Sequence, residues 1–97
     1  MMGARRWSFK EIIDGKLYNT DTSQEIAYDH KNHPHGWSET LYRTKKGAWF
    51  FVRNAEYTIS LIPLTAGEAL RWLEQHASAD QYIHTTLEHF GSKVEEA

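Results

Sequence analysis

The run Ser38–Val52, SETLYRTKKGAWFFV, constrains the fold more than any other part of the chain. Strand-forming residues flank a basic turn that ends in glycine, the pattern of a β-hairpin. A hairpin with one wet face alternates apolar and polar residues. This one is apolar on both faces, so both faces need a cover. With Gly47 in the left-handed region of a three-residue KKG loop, Thr44 stands opposite Ala48, Arg43 opposite Trp49, Tyr42 opposite Phe50 and Leu41 opposite Phe51. Thr40 then meets Val52 and Glu39 meets Arg53. One face carries Thr40, Tyr42, Phe50 and Val52, and the other Leu41, Trp49, Phe51, Glu39, Arg43 and Arg53. A different loop shifts the pairing by one residue and exchanges the faces.

The second face is amphipathic. Arg43 can lie on the Trp49 ring, and Glu39 can pair with Arg53 at the far end. Two readings follow. Helices cover one face while the N-terminal hairpin or a loop covers the other. Alternatively, Leu41, Arg43, Lys45, Lys46, Trp49, Phe51 and Arg53 form an exposed aromatic-basic surface for a partner or for a second copy of the chain.

The rest of the chain supplies covers. In RRWSFKEIIDGKLYN, Asp14-Gly15 suits a two-residue turn that sets Ile13 opposite Lys16 and Ile12 opposite Leu17. Trp7 and Phe9 share one face of that first strand. Gln24–Asp29 reads as a strand, with Glu25, Ala27 and Asp29 on one side and Ile26 and Tyr28 on the other, and HKNHPHGW as an exposed loop. Tyr57–Ile62 reads as a further strand ended by Pro63. Thr65 and Glu68 then form a capping box, and Ala66, Ala69, Leu70, Leu73 and Ala77 make a helical stripe. A second helix starts near Ser78 or Asp80, with Ala79, Ile83, Leu87 and Phe90 as its stripe and Gly91 as its stop. Strands first and helices last indicate an α+β fold: an antiparallel β-sheet of four to five strands with two C-terminal helices packed on one face. The 97 residues suit one domain, 1–97, with 91–97 as a flexible tail.

Composition narrows the function classes. A net charge of −2 argues against a general nucleic-acid binder, which carries a strong basic excess. No cysteine is present, so thiol chemistry is out and a reducing cytosol suits the chain. MMGARRWSF holds no apolar signal core, and no apolar run is long enough to span a membrane. The expected location is cytoplasmic. His30, His33 and His35 cluster in the loop, and imidazoles bind zinc or nickel. Pro34 and Gly36 make a plain polar loop equally natural there, so no metal and no cofactor is expected. His76, His84 and His89 are expected at the helix surface. The acidic residues are scattered, and no phosphate loop or nucleophile motif occurs, so no enzyme is expected.

Three blocks, YNTDTSQEIA (18–27), ETLYRTKKGAWFF (39–51) and IPLTAGEALRWLEQH (62–76), cover about half the chain in this order. Together they resemble a family of small, uncharacterised bacterial proteins often found in phages and other mobile elements. Relatives carry a glycine-rich stretch after the aromatic strand where this chain has VRNAEYTIS, so a role for that stretch does not carry over. The resemblance implies no catalytic residue. It implies a context in which small proteins act by binding, as inhibitors of host defence such as anti-CRISPR proteins do. The expected function is therefore a non-enzymatic interaction module for a host or element-encoded protein. A homodimer remains compatible with it. The alternative is a nucleic-acid-binding accessory or regulatory protein using Arg43, Lys45, Lys46, Trp49 and Arg53.

Overall fold

The computed structural model describes residues 8–31, 37–55, 58–91 and 94–95. Arg5, Arg6, Trp7, the His33–Gly36 stretch and Tyr57, on which parts of the sequence reading rest, lie outside the described residues, as does most of the tail after Gly91.

The chain opens with a hairpin of β1 (Lys10–Ile13) and β2 (Lys16–Asn19). Asp14 and Gly15 both take positive φ, 53° and 77°, which the tight mirror-image turn requires. Ile13 pairs with Lys16 and Ile12 with Leu17, as the Asp-Gly turn implies. The base of the hairpin is closed by Thr20, which is fully buried. The Phe9 N–H donates to Thr20 Oγ1 at 3.0 Å, and the Thr20 N–H donates to the Phe9 carbonyl at 3.0 Å.

Four further strands form an antiparallel sheet in chain order: β3 (Gln24–Lys31), β4 (Trp37–Arg43), β5 (Trp49–Ala55) and β6 (Thr58–Leu64). The β4–β5 register is the expected one, from Glu39 opposite Arg53 to Arg43 opposite Trp49. Gly47 supplies the left-handed turn residue at φ 92°. The Thr44 N–H donates to the Ala48 carbonyl at 2.8 Å and closes the loop.

Both faces of this ladder are covered from within the chain. On one, Tyr42, Phe50, Val52 and Leu61 meet Tyr18 and Phe9 of the N-terminal hairpin. Tyr42 stacks on Phe50 at 5.1 Å, and Tyr18 meets Phe50 edge-on at 5.5 Å. On the other, Leu41, Trp49 and Phe51 pack against Trp72, Leu73 and Phe90 of the helices. The result is a three-layer α+β fold of hairpin, sheet and helices. A homodimer through the second, amphipathic sheet face meets a face that the helices already occupy.

Helix α1 (Ala66–His76) starts at the expected capping box. The Glu68 N–H donates to Thr65 Oγ1 at 3.1 Å, and the Thr65 N–H donates to Glu68 Oε1 at 2.8 Å. Helix α2 (Ala79–Phe90) is capped by Ser78, whose Oγ accepts from the Gln81 N–H at 3.2 Å.

Three expectations are corrected. Pro63 does not end its strand. It lies inside β6, an edge strand, where a missing N–H on the open side costs no ladder bond. A bulge between Glu25 and Ala27 in β3 brings Ile26 to the helix-side core beside Ala27, so the two do not face opposite ways. The stripe of α2 is also different. Ile83 and Leu87 are 57% and 56% exposed, whereas Tyr82, Thr86 and Phe90 face inward. The Phe90 ring stacks on Trp49 at 5.1 Å and sets the rotation of the helix, which turns Ile83 and Leu87 to the outside.

These placements predict unequal costs. Leu73→Ala loses about 2–5 kcal/mol of unfolding free energy. Ile83→Gln and Leu87→Gln each stay within about 0.5 kcal/mol of the parent. Urea unfolding followed by tryptophan fluorescence separates the two outcomes.

Candidate functional site

The sheet carries the proposed binding residues at two opposite ends rather than on one patch. Leu41, Trp49 and Phe51 are buried under the helices, so they present no exposed aromatic face. Lys45 and Lys46 are exposed on the β4–β5 turn. Arg43 lies beside them, half-buried. Arg53 sits four residues further along the ladder, about 13 Å away at the rise of an antiparallel strand.

The Arg53 end is an ion-paired network. Asp29 and Glu39 are directly opposite each other on β3 and β4, an arrangement of like charges that is unfavourable by itself. Glu39 is only 2% exposed, yet both of its oxygens are engaged. Arg53 Nε donates to Glu39 Oε2 at 2.6 Å, and the Trp72 indole N–H donates to Oε1 at 2.8 Å. His76 Nδ1 lies 2.7 Å from Asp29 Oδ2, and its Nε2 lies 3.6 Å from Glu39 Oε1. The imidazole also stacks on Trp72 at 4.6 Å. The expected Glu39–Arg53 pair is therefore present. The expectation of a surface His76 is corrected: its ring is wedged between two carboxylates and an indole. One helical turn separates Trp72 from His76, and that spacing on one face was the available signal. With its two ring nitrogens turned toward carboxylates, His76 ties α1 to the sheet. A groove of about 420 Å³ lies over the network, with Trp37, Arg71 and Gln75 among its walls.

The turn end has a different character. Arg43 lies over the Trp49 ring at 5.0 Å, the contact expected from the register. Its NH1 donates to His89 Nδ1 at 2.9 Å, so that nitrogen carries no proton and the neutral ring holds its hydrogen on Nε2. Glu88 Oε2 lies 3.9 Å from that Nε2. Burial pushes the His89 ring below its ordinary value of 6.5, Glu88 draws it back up, and Arg43 pushes it down again. The expectation of a surface His89 is thus corrected as well, because only 8% of its side chain is exposed. His84 alone of the three helix histidines is well exposed.

A cleft of about 630 Å³ opens between this turn and the N-terminal hairpin, lined by Lys16, Leu17, Tyr18, Thr44, Lys45 and Lys46 among others. Among the described residues, none that lines it is acidic. Lys45 and Lys46 were legible as candidates, but Lys16 and Leu17 were not. Their place beside the turn depends on the hairpin folding across the sheet, which no local pattern records. Among the described residues, no group of three or more His, Asp or Glu side chains is placed to hold a metal ion. His33 and His35 lie outside the described residues. No described helix is long and apolar enough to cross a membrane. Comparison of the chain with protein-family models, curated proteins and solved structures finds no match.

Two outcomes follow from these ends. His89 binds its proton less readily folded than unfolded, so its contribution to stability is present above pH 6.5 and is lost as pH falls through the lowered folded value. His89→Asn keeps an acceptor near Nδ1 and removes the titration, so its unfolding midpoint falls less than the parent's between about pH 8 and pH 5. At the other end, Arg53→Met leaves the buried Glu39 carboxylate without its cation. The variant loses about 2–3 kcal/mol, less than for a fully buried pair because half of the Arg53 side chain is in water. Urea unfolding at neutral pH measures this loss.

Proposed function

We propose that the chain is a non-enzymatic protein-interaction module that docks an acidic, partly apolar segment of a partner protein at the turn end of the sheet. One observation carries this reading: Lys16, Lys45 and Lys46 line a single cleft with Leu17, with no acidic residue among the described residues that line it, on a chain whose net charge is −2. The positive charge is local, so it favours a local anionic partner over general polyanion binding. Leu17 is 57% exposed and its cross-strand neighbour Ile12 is 70% exposed, which gives apolar contact area next to the cations. Apolar contact ringed by charge is the usual composition of a docking surface.

The resemblance of the three sequence blocks to those of small proteins of mobile elements supports a host or element-encoded protein as the partner. An inhibitor of a bacterial defence complex, of the anti-CRISPR kind, is the sharpest form of the reading. Nucleic-acid binding through Arg43, Lys45 and Lys46 is the second reading. It is favoured by the same cations and weakened by the burial of Trp49, which leaves that ring unable to stack on a base.

The test is capture from bacterial lysate by the tagged protein and by its Lys16→Glu/Lys45→Glu/Lys46→Glu variant. The expected result is a partner held by the parent, lost by the variant and released by added salt. Equal capture by both proteins, or none by either, contradicts the docking reading. Binding of short DNA or RNA that falls steeply with salt selects the second reading instead.

A further inference from the structure

Arg43 differs from the other described cations at its end of the molecule. Lys45 and Lys46 reach into water, and Arg53 at the other end is neutralised by Glu39. Arg43 is half-buried, and no carboxylate among the described residues pairs with it. Its NH1 is spent on a neutral histidine nitrogen, and its Nε is buried without a hydrogen-bond partner. A guanidinium withdrawn from water and left without a counter-charge is costly, and such a group calls for an explanation.

The surroundings supply one. On this side of the β4–β5 turn lies a second cavity of about 420 Å³, lined by Gln24, Arg43, Thr44, Lys45, Lys46 and Gly47. Three of these six residues are cations and none is an anion. Gly47 is held in the turn by its positive φ of 92°. Position 47 lies beside the guanidinium: a Cβ there would stand 3.6 Å from Arg43 NH2 and 4.0 Å from Nε, at ordinary van der Waals contact. Trp49 holds the plane of the guanidinium from one side and His89 holds NH1, which orders the group before anything binds. A pre-ordered planar fork flanked by two lysines suits an oxyanion, because guanidinium hydrogen bonds to carboxylate or phosphate are short and charge-assisted.

We propose that this cavity is an oxyanion-binding site, with Arg43 as its anchor and Lys45 and Lys46 as its flanking charges. The site deepens the docking reading and rests on it only for the source of the anion: an acidic side chain of the docked segment supplies a carboxylate, whereas a free or protein-borne phosphate supplies the other form of the same chemistry.

Nitrogen-edited NMR of the arginine Nε–Hε resonances tests the site directly on the whole protein, without a partner. Inorganic phosphate, sodium acetate and sodium chloride are titrated separately at matched ionic strength. The expected result is a saturable shift of the Arg43 resonance with phosphate or acetate and none with chloride. Response to acetate alone assigns a carboxylate site, response to phosphate alone assigns a phosphate site, and response to both assigns a shared oxyanion site. Lys45→Gln/Lys46→Gln, on the exposed turn, weakens the affinity about tenfold or more, and Arg43→Gln abolishes it. If Arg43→Gln fails to fold, the double lysine variant carries the test alone. No saturable shift with either oxyanion, an equal shift with chloride, or a shift unchanged in the double variant overturns the site. The lysate capture reports on docking separately, so a protein that binds phosphate yet captures nothing fails the docking reading alone.

Discussion

The β4–β5 ladder is the constraint on which the rest of the molecule depends. Its alternating side chains send Tyr42, Phe50 and Val52 to one side and Leu41, Trp49 and Phe51 to the other. Neither set can stay in water, because each fully buried side chain of this size is worth about 1.5–3 kcal/mol of transfer free energy. A four-stranded sheet with two such faces must become the middle of a three-layer stack. The hairpin before it and the helices after it are what the same chain has available, and each takes one face.

The edges of that stack then acquire their chemistry from the layers that meet there. At one end, two opposed carboxylates on β3 and β4 are held together by Arg53 and by Trp72 and His76 of α1. The helix is thereby set on the sheet by directed polar contacts as well as by apolar packing, and those contacts specify position in a way that area alone does not. At the other end, α2 places His89 against Arg43, and the hairpin places Lys16 and Leu17 beside Lys45 and Lys46. At one end the carboxylates and cations are paired with each other, and at the other the clefts are lined by lysines and Arg43. That asymmetry is why the turn end carries the functional reading.

Much of the fold was legible in local pattern. Asp14-Gly15 and Gly47 specified their turns because few residues accept positive φ, and Thr65 with Glu68 marked a helix start because the first amides of a helix need acceptors. The face of α2 was not legible. Apolar character alone favoured Ile83 and Leu87, but the contact of Phe90 with Trp49 rotates Thr86 and Tyr82 inward instead. Candidate site residues divided in the same way. Lys45 and Lys46 belong to the turn itself and could be named from it. His76 and His89 looked like surface residues because their partners, Asp29 and Arg43, lie 47 and 46 positions away in the chain.

The sequence by itself determined the α+β order, the hairpin turns, the β4–β5 register and the requirement that both faces of one sheet be covered. Each of these follows from contacts between near neighbours or from the two-residue period of a strand. Only the tertiary structure decided which layer covers which face, how α2 is rotated, and that Arg43 lies half-buried against a neutral histidine with no carboxylate among the described residues paired to it. Those outcomes depend on side chains from separate elements competing for the same space and the same charge. No local pattern encodes that competition, because it is resolved only when the layers close.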